Sequence, residues 1–362
     1  MTLPRITLLA TLLLAAPAAA QLQITPPATI PSPPPDKQKA KESTKEKPKV
    51  APHTIAKKKE PAPKPSASPS PTLPATVIPA PATDNSNVDL VFGAYQRGQY
   101  KTAFDLASAR AQTGDAKAMT MLGELYSNAM GIRRDYAKAV EWYKRASDAG
   151  DREAMFALAM LRMAGRGGPV DKGEAVKLMA SAAKLGEPKA AYNLALLYLD
   201  GQTLPQDVKR SAELLRQAAD AGLPEAQYAL ATFYKEGTGV PKDPERSVRL
   251  LQAASLADNV DAEVEYAIAM FNGTGTPKNQ PAAVALLRKA SRQGSAIAQN
   301  RLAWVLINGM GAPVDKIEGF KWHLVAKTSG KGDPELDKEL SDLPADDRAK
   351  AEAAAKKWLG TK

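Results

Sequence analysis

Alanine returns every 36 residues at Ala118, Ala154, Ala190, Ala226, Ala262 and Ala298, with no insertion or deletion between them. A second ladder, Ala146, Ala182, Ala218, Ala254, Ala290 and Ala326, keeps step with the first. A period held so strictly requires a stack of equal-length units, because each unit meets only its neighbours and an unequal one would break the register. Such a stack offers a long surface rather than an enclosed chemical pocket, which turns the search for function towards binding.

Residues 224–258 show what one unit contains. Pro224 suits the first turn of a helix, where its missing N–H is harmless. Ala226, Leu230, Phe233 and Tyr234 recur at helical spacing and form one buried stripe. Gly237-Thr238-Gly239 stops that helix, since glycine takes left-handed dihedrals without strain. Val240 to Asp243 make the turn, and Pro244 opens a second helix whose inner face carries Val248, Leu251, Ala254 and Ser255. Small residues on both helices allow close antiparallel packing. A unit-ending glycine repeats as Gly150, Gly186, Gly222, Gly294 and Gly330, with Asp258 the exception. A loop acid repeats as Asp135, Asp171, Asp207, Asp243 and Asp315, with Asn279 in the fifth unit, as expected of a side chain that caps the second helix.

The ends differ from the array. Residues 1–20 combine Arg5, an apolar run from Ile6 to Ala16 and small residues at Ala18-Ala19-Ala20, the three parts of a secretory signal with cleavage before Gln21. Left uncut, the same segment serves as an inner-membrane anchor, the alternative reading. Residues 21–83 hold sixteen of the 29 prolines and ten lysines against four acids (Asp36, Glu42, Glu46, Glu60), so that much of the net +10 charge sits there. Too few large apolar side chains remain to offset ordering entropy, and the segment reads as a disordered Pro/Lys-rich linker. It is expected to act as a spacer, with weak electrostatic contact to an anionic envelope surface as the sharper reading. Residues 84–362 carry only +3, which gives the repeats no electrostatic footprint for nucleic acid. No cysteine is present, excluding disulfides, thiolate nucleophiles and cysteine metal ligands.

Residues 84–114 read as an N-terminal helical pair joined at Gly98, with Leu90, Val91, Ala94 and Tyr95 on one apolar stripe and Ala103, Phe104, Leu106 and Ala107 on the next. Residues 331–362 read as C-terminal capping helices. One opens at Asp333-Pro334 and carries Leu336 and Leu340; the other is an amphipathic helix with Trp358 and Leu359.

The segment AMTMLGELYSNAMGIRRDYAKAVEWYKRASDAGD, residues 118–151, resembles the Sel1-like repeat family, relatives of the tetratricopeptide repeats. The likeness covers six copies over residues 115–330. Departures are local: Ala129 stands at the first loop glycine of unit one, Arg162 at the tyrosine of unit two and Thr203 at the second loop glycine of unit three. The resemblance implies an all-α fold, a right-handed α/α superhelical solenoid, and a role as adaptor or scaffold. Bacterial members are often exported. A cysteine-rich branch associated with β-lactam binding and hydrolysis lacks support here, because its paired cysteines are missing.

Catalytic constellations are scarce. His53 lies in the tail and His323 in the last unit, at the column of Tyr143, where a packed ring is the expected role. Ser181-Ala182-Ala183-Lys184 matches Ser-x-x-Lys, yet the alanines are packing columns and the companion Ser-Asp-Asn and Lys-Thr-Gly elements are missing. The Gly-x-Gly turns follow helices, not strands, and are not nucleotide fingerprints. The expectation is therefore a protein that is not an enzyme and takes no cofactor or metal, with an envelope hydrolase acting on wall or β-lactam substrates as the alternative.

In this superhelix the first helix of each pair lines the concave side. One of its columns is variable in the family: Glu124, Met160, Leu196, Thr232, Ile268 and Trp304. Neighbouring variable positions add Asn193, Lys235, Glu265, Asn300 and Arg301. Together they predict an apolar groove with polar edges that receives a peptide or domain of a protein partner in the bacterial cell envelope, in a periplasmic or secreted setting; the alternative is that these side chains only complete the packing against the second helices.

Overall fold

The computed structural model describes residues 89–360. The signal and linker expected over residues 1–83 lie outside the described residues. Among those described there are sixteen α-helices and no strand. An N-terminal pair, α1 (Leu90–Gln96) and α2 (Tyr100–Gln112), precedes six hairpins. These are α3 (Ala116–Asn128) with α4 (Tyr136–Asp148), α5 (Arg152–Ala164) with α6 (Lys172–Lys184), and α7 (Pro188–Asp200) with α8 (Val208–Asp220). Then come α9 (Pro224–Glu236) with α10 (Pro244–Leu256), α11 (Val260–Asn272) with α12 (Gln280–Arg292), and α13 (Ala296–Ile307) with α14 (Lys316–Thr328). The closing helices are α15 (Pro334–Ser341) and α16 (Ala345–Gly360). Within each hairpin the two helices pack together, and the second packs on the first helix of the next hairpin, the contact pattern of a solenoid.

Both alanine ladders are buried throughout, none of their twelve residues more than 2% exposed. The second ladder also sits at a backbone junction. The carbonyls of Ala146, Ala182, Ala218, Ala254, Ala290 and Ala326 each accept an N–H five residues on, at 2.9–3.1 Å. Between donor and acceptor lies the unit-ending glycine with positive φ, so each hairpin closes in a Schellman-type turn. Asp258 replaces that glycine once and still adopts φ +59°, which Asp tolerates better than most residues.

The loops inside hairpins are equally uniform. Asp135, Asp171, Asp207, Asp243, Asn279 and Asp315 each accept a backbone N–H from the first turn of the following helix, at 2.8–3.1 Å. Their own N–H groups donate to carbonyls nine residues earlier, at 2.8–3.1 Å. A bond that spans the whole loop fixes its length, which is the physical reason the period never drifts. Ala129 takes the left-handed conformation of the glycine it replaces (φ +59°). Thr203 does not, and its loop is tied instead by Asp200 accepting from the Gln202 N–H and by Gln206 Nε2 donating to the Leu199 carbonyl.

Two apolar side chains expected inside lie outside. Leu90 is 57% exposed, because it occupies the first position of the short α1 while Val91 and Ala94 face inward. Leu359 is 41% exposed, since α16 buries Ala351 and Ala355 and half-buries Trp358, whose ring meets Trp322 edge-on at 5.0 Å. His323 is packed as expected, with no exposed surface, and its Nε2 lies 2.8 Å from Asp337 of α15.

One buried acid sits where its neighbours in the array carry an amide. Gln227 and Gln299 each donate Nε2 to a carbonyl eight residues earlier, those of Ala219 and Ser291. Glu263, in the same column and without exposed surface, has no proton to offer the corresponding carbonyl of Ser255. Burial pushes its carboxyl above the usual 4.5, against the pull of Lys289, whose Nζ is 3.2 Å away and shared with Asp258. The folded chain thus holds this proton more tightly than the unfolded one. The resulting cost to stability is present above the folded pKa and fades as pH falls through it towards 4.5. Glu263→Gln is expected to stabilise the fold at pH 7 by about 1 kcal/mol. Melting curves at pH 7 and pH 4.5 check this: the advantage should narrow at the lower pH, and an equal advantage at both would contradict it.

Candidate functional site: the face of the first helices

The first helix of each hairpin places one residue per unit on a shared stripe. Glu124, Met160, Thr232, Ile268 and Trp304 are half-buried and Leu196 is 37% exposed. A core position would be sealed and a purely solvent-facing one open, so this column forms the floor of a surface. Side chains cross it from one unit to the next in steps of 29 or 30 residues. Tyr95 donates its hydroxyl to Glu124 Oε1 at 2.7 Å, Lys235 Nζ meets Glu265 at 2.8 Å, and Trp304 Nε1 donates to Asp333 at 2.9 Å.

The remaining positions do different work. Asn193 and Thr232 donate back to carbonyls of their own helices, Lys189 and Tyr228. Met160 packs against the buried core. Arg301 is half-buried, and desolvation lowers its pKa against the opposing charges of Asp333 and Glu265. Asn300 Nδ2 donates to the Lys331 carbonyl at 3.2 Å. The stripe's last unit is therefore engaged by the segment that leads into α15, while Leu196 is exposed and Ile268 half-buried.

At the other end the stripe meets a cavity of about 400 Å³ between α1, the last turn of α2, α3 and the start of α5. Phe92, half exposed, and Tyr95 line it together with Met121 and Glu124. Phe92 and Tyr95 were not singled out in the sequence as binding residues. Their signal was only an aromatic pair at i and i+3 on a helix too short to bury both.

The residues considered for hydrolysis do not meet. Ser181 and Lys184 are exposed on α6, whereas His323 is sealed within α14 and bonded to Asp337. Among the described residues no group of three or more His, Asp or Glu side chains could hold a metal ion, and no helix is long and apolar enough to cross a membrane.

The Sel1 repeat model matches six consecutive segments, 116–151, 152–187, 188–223, 224–259, 260–295 and 296–330, which are the six hairpins α3–α4 to α13–α14. The chain belongs to the Sel1 repeat family. Sel1 repeats are typically protein–protein interaction scaffolds and generally non-catalytic. Among solved structures, a protective antigen of uropathogenic Escherichia coli with an SLR fold is 27% identical, with a TM-score of 0.63 over 72% of this chain. The match spans 56% of that antigen's length. A Sel1 repeat protein from Oxalobacter formigenes is 25% identical, with a TM-score of 0.60 over 67% of this chain and all of its own. No curated protein matches this chain.

Proposed function

We propose that this Sel1 repeat chain is a non-catalytic scaffold of the bacterial cell envelope that holds a partner peptide or domain along the face of its first helices. The carrying observation is the column Glu124 to Trp304, half-buried in five units and exposed at Leu196, in an array whose two alanine ladders are sealed. Half-buried apolar side chains flanked by polar ones are the composition of a peptide-receiving groove. An export signal at residues 1–20 and a Pro/Lys-rich spacer support an envelope setting. The protective-antigen role of the Escherichia coli neighbour accords with an exported chain.

The test is the pair Leu196→Ala and Ile268→Ala made together, with partner recovery by crosslinking in living cells and helical content by circular dichroism. Retained folding with loss of the crosslinked partner is the expected outcome. Retained folding with undiminished capture would place the partner elsewhere.

A further inference from the structure

The cavity at the N-terminal end of the stripe has a chemistry that the rest of the stripe lacks. Glu124 is the one ionisable side chain in a column otherwise made of Met, Leu, Thr, Ile and Trp, so packing does not call for it. It lines the cavity together with Asp89, Asp151 and Glu153, with only Arg110 and Lys117 as basic residues in the lining. Arg110 is already committed, its guanidinium bonded to Asp89 at 2.9 Å and to Asp115 at 2.7 Å. Among the described residues no lysine or arginine pairs with Glu124, Asp151 or Glu153. Elsewhere on the stripe such an acid is matched from within: Glu265 has Lys235. Glu124 has only Tyr95, whose hydroxyl fixes Oε1 and leaves the carboxylate's charge uncompensated. Burial, and then the same bond, raise the tyrosine's pKa above its ordinary value.

Beside this charge stands Phe92, half exposed on the cavity wall, with Met121 next to it. A carboxylate held by a tyrosine and bordered by an open aromatic ring suits one kind of guest, a cation on an apolar stem. We infer that this end of the groove receives an extended segment of a partner protein bearing an arginine or lysine next to an apolar residue, the cation on Glu124 and the apolar side chain on Phe92. Charge complementarity carries the assignment: the cavity is acidic after its internal pairs are counted, in a repeat array whose overall balance is slightly basic. The inference rests on the scaffold reading and names the chemistry of its partner.

The experiment titrates the full chain with three capped peptides, Leu-Arg-Leu-Arg, Leu-Gln-Leu-Gln and Leu-Glu-Leu-Glu, by isothermal calorimetry at low salt and at 0.15 M. The arginine peptide is expected to saturate one site and to weaken as salt rises. Glu124→Gln, which keeps the side chain's shape, should weaken it by about tenfold, as loss of a charge-assisted bond does. Phe92→Ala should weaken it as well, and Glu339→Gln on α15 should leave it unchanged. Equal affinity of Glu124→Gln for the arginine peptide would overturn the assignment, as would equal binding of the glutamine peptide or no saturable binding to the unaltered chain. If a photocrosslinker at Leu196 captures a partner while the arginine peptide fails, the scaffold reading stands and this assignment alone falls.

Discussion

Gly239→Ala should destabilise the array by about 3 kcal/mol, whereas Gly222→Ala, at a glycine with a similar dihedral, should cost about 1–2 kcal/mol. Both glycines have positive φ, +66° and +85°, so both substitutions incur the left-handed penalty of an L-residue. Their surroundings separate them. A Cβ on Gly222 would meet nothing within 4 Å, whereas one on Gly239 would stand 2.6 Å from the Val208 carbonyl oxygen. Val208 is the first residue of α8, in the preceding hairpin. The pattern repeats: Gly131 lies against Tyr100, Gly167 against Tyr136, Gly275 against Pro244 and Gly311 against Gln280, each the first residue of the previous second helix. Loop-to-helix contact of this kind leaves no room for a methyl group and locks one unit onto the next. Denaturant unfolding gives the magnitude, and hydrogen exchange should show the loss of protection centred on α8 and α9. Equal costs at the two glycines would mean that the close approach is not what holds the loop.

The second large effect lies within a single helix. Ala182→Leu should cost about 2–3 kcal/mol by overpacking, while Ala180→Leu should change stability by less than about 0.5 kcal/mol. Ala182 has no exposed surface, and its carbonyl closes the turn into α7 through the Glu187 N–H at 2.9 Å. Ala180, two residues earlier on α6, is exposed. Both variants gain the same helix-favouring side chain, so propensity cannot account for a difference. Three added carbons at Ala182 must push α6 away from its neighbours, and interiors at crystal-like density do not accommodate that without shifts. Comparable stability of the two variants would show that the ladder is not a close-packed seam.

The repeated parts of this fold were readable because every unit solves the same problem with the same residues. One loop position, Asp in five units and Asn279 in the fifth, is a helix cap in all six, and an alanine at one helix position is a sealed contact in all six. What the sequence could not convey lies where the repeat ends and a neighbour is missing. Leu90 and Leu359 look like core residues by type, but each sits off the buried stripe of a terminal helix. Trp304 and Asn300 look like groove residues by column, yet a segment outside the repeat supplies their partners, Asp333 and Lys331. His323 was placed correctly as a packed ring, while its bond to Asp337 depends on how α15 folds back. The cavity at Glu124 was hidden for the same reason, since its walls come from α1 as well as from the first true repeat. The column from Glu124 to Trp304 was legible as variable, while its half-buried state depends on how neighbouring hairpins stack.

A photocrosslinking amino acid placed at Leu196, and in a parallel strain at Leu256, tests the central claim most directly. Leu196 is 37% exposed on the stripe of the first helices, and Leu256 is 82% exposed at the end of the second helix α10. If the stripe is the docking face, living cells should yield a discrete crosslinked partner from position 196 and none from position 256, despite the greater exposure of the latter. The same partner captured from Leu256 and not from Leu196 would contradict the account.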